Sequence, residues 1–283
     1  MSGQQEAFQV DPKITIDELR LRATRKLSAG IAQLVTFEGK VLEETLTLGE
    51  AGLQAGAVLS AVVRSASLAS TDHAFALLRP DGRVATWGCK SSGGDSRRVR
   101  HLLRDVKCIK SSRCAFAALR QDGSVVAWGG PGGNCDGLEQ ELLSVEQIQA
   151  SCAAFAALRK DGSVMCWGDW ACGGDSTDII LDLAINVESI AASDAAFAAL
   201  RRDGTVLTWG DPIAGGDSSS VEEQLRDVKA IQANSEAFAA IRADGSVVTW
   251  GNRAVGGDSS SCEERLCGVQ QIQATSDAFA AIR

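Results

Sequence analysis

Phenylalanine recurs at Phe75, Phe116, Phe155, Phe197, Phe238 and Phe279, and a Trp-Gly pair follows each of the first five, its tryptophan twelve residues on: Trp87, Trp128, Trp167, Trp209 and Trp250. The unit so marked is 39 to 42 residues long and is written five and a half times. A fixed period of this size with two fixed apolar landmarks describes stacked supersecondary units, none of which buries its apolar face without a neighbour. Aromatic residues are otherwise scarce: tyrosine is absent, and eleven of the fourteen Phe and Trp stand at these landmarks. They are building material, so function is expected on a binding surface before a catalytic pocket.

The fifth unit carries the pattern most clearly. VKAIQA, AFAAIR and SVVTWG are short apolar runs, and the second and third are joined by Ala243-Asp244-Gly245, matched by Asp81-Gly82, Asp122-Gly123, Asp161-Gly162 and Asp203-Gly204. Asp-Gly between apolar runs signals a hairpin, because the tight turn needs a positive φ that glycine adopts at little cost. In AFAAIR, Phe238 and Ala240 alternate with Ala239 and Ile241, and both sides are apolar, which predicts a strand buried on both faces between neighbouring blades. Gly-Gly-Asp-Ser follows the Trp-Gly at 93–96, 173–176, 215–218 and 256–259. It lacks the P-loop Lys-Ser/Thr and the spacing of calcium loops, so it reads as a turn into a short helix. Ser220 with Glu223 and Ser261 with Glu264 have capping-box spacing for helices in EEQLRDV and EERLCGV. The sixth unit reaches Arg283 before its Asp-Gly turn, leaving an unpaired strand edge, so the expectation is an incomplete array from a longer repeat protein.

Residues 7–64 are not repetitive. Thr15 and Glu18 have capping-box spacing, Ile14 and Leu19 can staple the entry, and Ile16, Leu19, Ala23 and Leu27 share one helical face. AQLVTFEGKVL then reads as strand, turn and short strand, and LTLGEAGLQAGAVLSAVV as a turn-rich stretch closing in an apolar strand.

Composition narrows the function. A net charge of -8 argues against a general grip on nucleic acid. One run departs from it: Arg97, Arg98, Arg100, His101, Arg104, Lys107, Lys110 and Arg113 face the single acid Asp105, while the next unit carries Asp136, Glu139, Glu141 and Glu146. That run is either a solvated face or a patch for an acidic partner or anionic lipid. No stretch approaches the ~18 apolar residues of a membrane span, and no leader pattern opens the chain; a cytoplasmic or nuclear location is expected. The nine cysteines read as free thiols, and the pairs close in sequence, Cys262/Cys267, Cys108/Cys114 and Cys166/Cys172, lack the second pair of a zinc site. No metal or cofactor is expected. His73 and His101 fall into no nucleophilic arrangement, and Glu222/Glu223 and Glu263/Glu264, being consecutive, project in different directions.

Two resemblances follow. Val10-x-Pro12-x-x-Thr15-Ile16-x-x-Leu19, then Leu34-x-x-Phe37-x-Gly39-Lys40-x-Leu42, then Thr47-Leu48-x-Glu50-x-Gly52-Leu53-x-x-Gly56-x-x-Leu59 resembles the ubiquitin-like family. It implies an α+β β-grasp domain over residues 1–65, with its first strand missing and, lacking a Gly-Gly tail, no covalent attachment to substrates. It also implies a recognition patch at Thr36, Gly39, Lys40, Ser60 and Val62. Residues 66–283 resemble the regulator-of-chromosome-condensation repeats in the core I-x-A-S/N/T-x-x-A-F-A-A-L/I-R-x-D-G-S-V-x-x-W-G. That implies an all-β, β-propeller-like array, although that family's Gly-Gln-Leu-Gly is here Gly-Gly-Asp-Ser. The expected function is a non-catalytic scaffold or adaptor for other proteins, linked to ubiquitin-pathway components, with Arg97, Arg98, Arg100 and Arg104 as further contacts. The alternatives are the substrate-recognition part of a HECT-type ubiquitin ligase and, behind it, guanine-nucleotide exchange.

Overall fold

The computed structural model describes residues 5–27, 30–63, 65–135, 137–138, 140–176, 183 and 185–283. Two compact units emerge, Met1–Leu68 with Leu77–Ala85 and Ala69–Ala76 with Thr86–Arg283.

In the first unit the helix Ile16–Leu27 starts where Thr15 Oγ1 accepts the Glu18 N–H at 3.2 Å. Ile16, Leu19 and Ala23, one face by the helical period, are buried with Ile31, Leu34, Leu42 and Leu48. Strand Ile31–Thr36 pairs antiparallel with Leu59–Val63. The intervening chain is tied to the helix entry by Ile16 N–H to Leu46 C=O, 2.9 Å, and Leu48 N–H to Ile14 C=O, 3.0 Å. Among the described residues no strand precedes the helix; Phe8 and Val10 pack on the same core, and Lys26 Nζ sits 5.0 Å from the Phe8 ring centre.

Among the described residues, the chain from Ser67 onward holds five three-stranded sheets and a final two-stranded one, each made of strands consecutive in sequence. In the fourth sheet Val187–Ala192, Ala196–Arg201 and Val206–Gly210 are the outer, central and third strands. The central strands at 115–120, 154–159, 196–201 and 237–242 are buried over their first five residues. Their two faces serve different neighbours. Ala154, Ala156 and Leu158 join Phe197, Ala199 and Trp209 of the next blade, and Ala196, Ala198 and Leu200 join Phe238, Ala240 and Trp250 of the one after. The alanine face of each blade is therefore the floor on which the next blade's phenylalanine lies, which is why the run alternates small and large.

Cross-strand register puts each phenylalanine opposite its tryptophan, as in Phe197↔Trp209, and the rings stack at 5.2 to 5.6 Å in all five units. Phe116, Phe155, Phe197 and Phe238 are fully buried, as are Trp128, Trp167, Trp209 and Trp250 to within 5 %. Phe75 and Trp87 are half exposed, at 42 % and 46 %, and Phe279 is half-buried.

Each Gly-Gly-Asp-Ser is consumed by this packing. The indole N–H of Trp128, Trp209 and Trp250 donates to the carbonyls of Gly93, Gly173 and Gly215 in the preceding blade at 2.9, 3.1 and 3.0 Å, and Trp167 reaches Gly132 at 3.1 Å. Gly215, at φ 92°, lies against Phe238 so closely that an added Cβ would stand 2.5 Å from the ring. The aspartate accepts the N–H two residues on, 2.9 Å for Asp217 and 3.0 Å for Asp258. Ser96, Ser218 and Ser259 meet Thr86, Thr208 and Thr249 at 2.9, 3.0 and 3.1 Å. The helices that follow depart from the capping-box expectation. They are 3-10 turns, Ser219–Gln224 and Ser260–Arg265, without side-chain capping by Ser220 or Ser261. The aspartate takes over the turn-initiating role three residues earlier, and the segment is too short to repay an α-helical nucleus.

The Asp-Gly hairpins carry three-residue loops. Arg120 N–H bonds Ser124 C=O at 2.9 Å, and only the glycine is left-handed, with φ of 77 to 83° across the five units. The aspartate Oδ1 accepts from the backbone N–H of Ser163, Thr205 and Ser246 at 2.9 to 3.0 Å and from the hydroxyls of the same residues at 2.6 to 2.7 Å. These side-chain bonds, then the backbone N–H, hold Asp161, Asp203 and Asp244 below the usual carboxylate range. A depressed folded-state pKa gives stability that is present above the unfolded value, about 4, and is lost as pH falls through the folded one. Acid titration followed by tryptophan fluorescence is expected to show that loss, and changing the three aspartates to asparagine, which keeps an acceptor, should flatten it. A triple variant with the wild-type acid slope would refute this.

Candidate interaction surfaces

Opposite the Asp-Gly turns, the loop joining the first two strands of each unit links blade to blade. Asp72 N–H donates to Arg113 C=O, Arg113 to Cys152, Cys152 to Asp194, Asp194 to Ser235 and Ser235 to Ser276, at 2.7 to 3.2 Å. The loop after Trp-Gly lies at this same end, since Asp169 and Asp211 N–H bond Ala153 and Ala195 C=O at 3.0 and 2.9 Å. Its first turn is built alike in three units: Asp169, Asp211 and Asn252 accept through Oδ1 from Ala171, Ile213 and Ala254 at 2.8 to 2.9 Å. The turn holds what it carries outward. In adjacent units that is Trp170, 78 % exposed, and Ile213, 70 % exposed, with the charged Lys90 and Arg253 in the first and fifth. Two large apolar side chains on rigid turns are an unusual feature of a surface whose other repeat tryptophans are mostly buried. Trp170 stands outside the repeat register, three residues after the landmark Trp167.

The basic run does not form one face. Arg97 closes on Asp95 at 2.6 Å, and that side-chain bond holds Asp95 down at about 2. Arg98, Arg100, His101 and Arg104 are exposed, and no ion pair engages these arginines among the described residues. Lys107 and Lys110 sit on strand Val106–Ser111, and Arg113 bonds Asp194 two blades on at 3.1 Å. Of the acids expected opposite, Asp136 and Glu139 lie outside the described residues; Glu141 and Glu146 are exposed.

In the first unit Ser60 and Val62 pair with Val35 and Gln33, so the four share one sheet face; Val62 is 48 % exposed. Thr36 pairs with Leu59 on the Leu34 side and accepts the Lys40 N–H through Oγ1 at 3.2 Å, which puts Gly39 and Lys40 in the adjoining exposed turn. Phe37 in that turn is 92 % exposed and Val58 71 %. In the sequence Phe37 is legible only as a landmark of the Leu34-x-x-Phe37-x-Gly39-Lys40 pattern.

His73 and His101 are exposed, as are Glu222, Glu223, Glu263 and Glu264, and the described residues contain no cluster of three or more metal-ligating side chains. No helix among the described residues is long and apolar enough to cross a membrane. No disulfide joins the nine cysteines. Cys172 meets Cys152, 3.2 Å between sulfurs, instead of its sequence neighbour Cys166, whose thiol burial pushes up to about 12.

The strand order and register define the larger part of the chain as an all-β repeat array of propeller-like blades. Neither a protein-family model nor a curated protein matches the chain. Among solved structures it is similar to Prp20p from Saccharomyces cerevisiae, studied for its binding to Gsp1p and histones, with 16 % identity over 87 % of this chain and 72 % of that one, TM-score 0.48. It is also similar to the ectodomain of the receptor kinase CR4 from Physcomitrella patens, with 16 % identity over 67 % and 52 % and a TM-score of 0.45. The ectodomain of ACR4 from Arabidopsis thaliana gives 18 % identity over 71 % and 68 %, TM-score 0.45. The chain spans about half the length of the moss ectodomain. The likeness is loose, and the architecture rests on the registers above.

Proposed function

We propose that the chain is a non-catalytic protein-interaction scaffold whose blade array engages other proteins through the loops that follow Trp-Gly. The exposed Trp170 and Ile213 carry this reading: a flat indole and an aliphatic side chain on hydrogen-bonded turns lose little entropy when covered, which suits them to anchor an interface. The first unit is, in this reading, a ubiquitin-like β-grasp module that presents Ser60 and Val62 to a partner in the ubiquitin system. Its helix over an antiparallel pair and the order of its motifs support that. A cytoplasmic or nuclear setting accords with the free thiols.

The test is quantitative affinity capture with the full chain and two variants. Trp170→Ala is expected to weaken array-mediated capture by about 30-fold or more, as for an interface anchor worth ~2 kcal/mol, with stability shifted by less than about 0.5 kcal/mol. Val62→Asp should remove only partners held by the first unit. A captured set indifferent to both changes would sink the proposal.

A further inference from the structure

Cys152 and Cys172 stand twenty positions apart in sequence with their sulfurs 3.2 Å apart. We propose that they form a reversible oxidation site that closes to an intrachain disulfide on reaction with a hydroperoxide.

The repeat itself imposes the approach. Ser151 Oγ donates to Cys172 C=O at 2.8 Å, and the same bond joins Thr71 to Ser92 at 3.0 Å, Ser193 to Ala214 at 2.9 Å and Asn234 to Val255 at 2.5 Å. Two backbone segments are thus clamped together in four units. Only the third unit has thiols at both facing positions; the equivalents are Asp72 and Ser92, Asp194 and Ala214, Ser235 and Val255. Cys152 is further pinned by its N–H to Asp194 C=O at 2.7 Å and by Arg113 N–H on its own carbonyl at 2.9 Å. Closing by about 1 Å brings the sulfurs to the bonding distance of about 2.05 Å. By contrast, the exposed Cys262 and Cys267 direct their thiols to backbone carbonyls of Ser259 and Glu264, at 3.4 and 3.7 Å.

The surroundings divide the roles. Arg113, anchored on Asp194 at 3.1 Å, has its pKa raised first by the facing Cys152 and then by Asp194, so its guanidinium cation stands beside the Cys152 sulfur. Cys172 packs against the core between the third and fourth blades, and burial followed by its Cys152 neighbour pushes its thiol up to about 12. The Cys152 thiolate attacks the peroxide O–O bond, giving Cys152 sulfenic acid and hydroxide. Once that sulfur is uncharged, Cys172 attacks it, and the S–O bond breaks with water leaving, its second proton supplied by the Cys172 thiol. The peroxide is the oxidant and the two thiols are the reductant.

The full chain is exposed to hydrogen peroxide, alkylated and digested with trypsin, which puts Cys152 in peptide 121–159 and Cys172 in peptide 161–201. The expected product is a Cys152–Cys172 linkage that dithiothreitol reverses and that is absent from Cys152→Ser and Cys172→Ser. In folded Cys172→Ser, Cys152 should be trapped as sulfenic acid by a 1,3-diketone. Recovery of both thiols alkylated while Cys89, Cys262 or Cys267 is oxidised would overturn the assignment. So would a sulfenic label on Cys172 in Cys152→Ser with none on Cys152 in Cys172→Ser.

Discussion

Truncating Phe238 to alanine is expected to destabilise the array by about 3–5 kcal/mol, the range for a fully buried aromatic whose cavity cannot collapse. Phe238 is wholly inaccessible, stacks on Trp250 at 5.2 Å and lies against Gly215 of the preceding blade. The surroundings cannot relax into the space, because Gly215 is fixed by the Trp250 indole at 3.0 Å and Ala214 by Ser193 at 2.9 Å. Phe75 has the same sequence context and the same stacked partner yet is 42 % exposed. Phe75→Ala should therefore cost well under half as much, about 1 kcal/mol, near the middle of the distribution for point substitutions. Urea unfolding of the two variants decides the matter. Equal losses would mean that stability resides within single blades, and the stacking account of the period would fail.

Gly215→Ala is the second large effect. Two costs combine: about 1–2 kcal/mol for holding an L-residue in the left-handed region and about 1–3 kcal/mol for forcing a methyl against a packed ring. The added Cβ would sit 2.5 Å from Phe238 Cδ2. Gly268 isolates the first cost, since at φ 67° it has open space around the position of its missing Cβ. Its counterparts in earlier units, Asp105, Ser144, Asn186 and Asp227, already adopt φ of 53 to 67°. Gly268→Ala is thus expected to cost about 1 kcal/mol. Matching losses at the two glycines would show that the ring contact is immaterial.

These comparisons also mark what a sequence of this kind conveys. Apolar periodicity revealed the blades, the Asp-Gly hairpins and the two-sided burial of AFAAIR, because each depends on residues a few positions apart. The face of the helix Ile16–Leu27 was legible for the same reason. The indole bonds from each blade to the last were not, since a backbone carbonyl accepts them and leaves no residue type behind. The left-handed position before each outer strand was hidden by its variety, although Asp, Asn and Gly, the types that tolerate positive φ, hold it in four of the five units. Trp170 and the Cys152–Cys172 approach escaped for another reason: each occurs in one unit only, and reading by repeat averages away what single units do.

The junctions between blades have a consequence for construction. At each of the first four the earlier unit passes a backbone N–H forward, Cys152 to Asp194, and the later unit passes an indole N–H back, Trp209 to Gly173. What receives these donors is a carbonyl or a glycine in every case, so each seam accepts any unit bearing the Phe, the Trp and the small-residue loop. The blades are in that sense interchangeable parts. The order in which they stand is left to be chosen by what each displays, with Trp170 and Ile213 carried by neighbouring units and the paired thiols confined to a single place in the row.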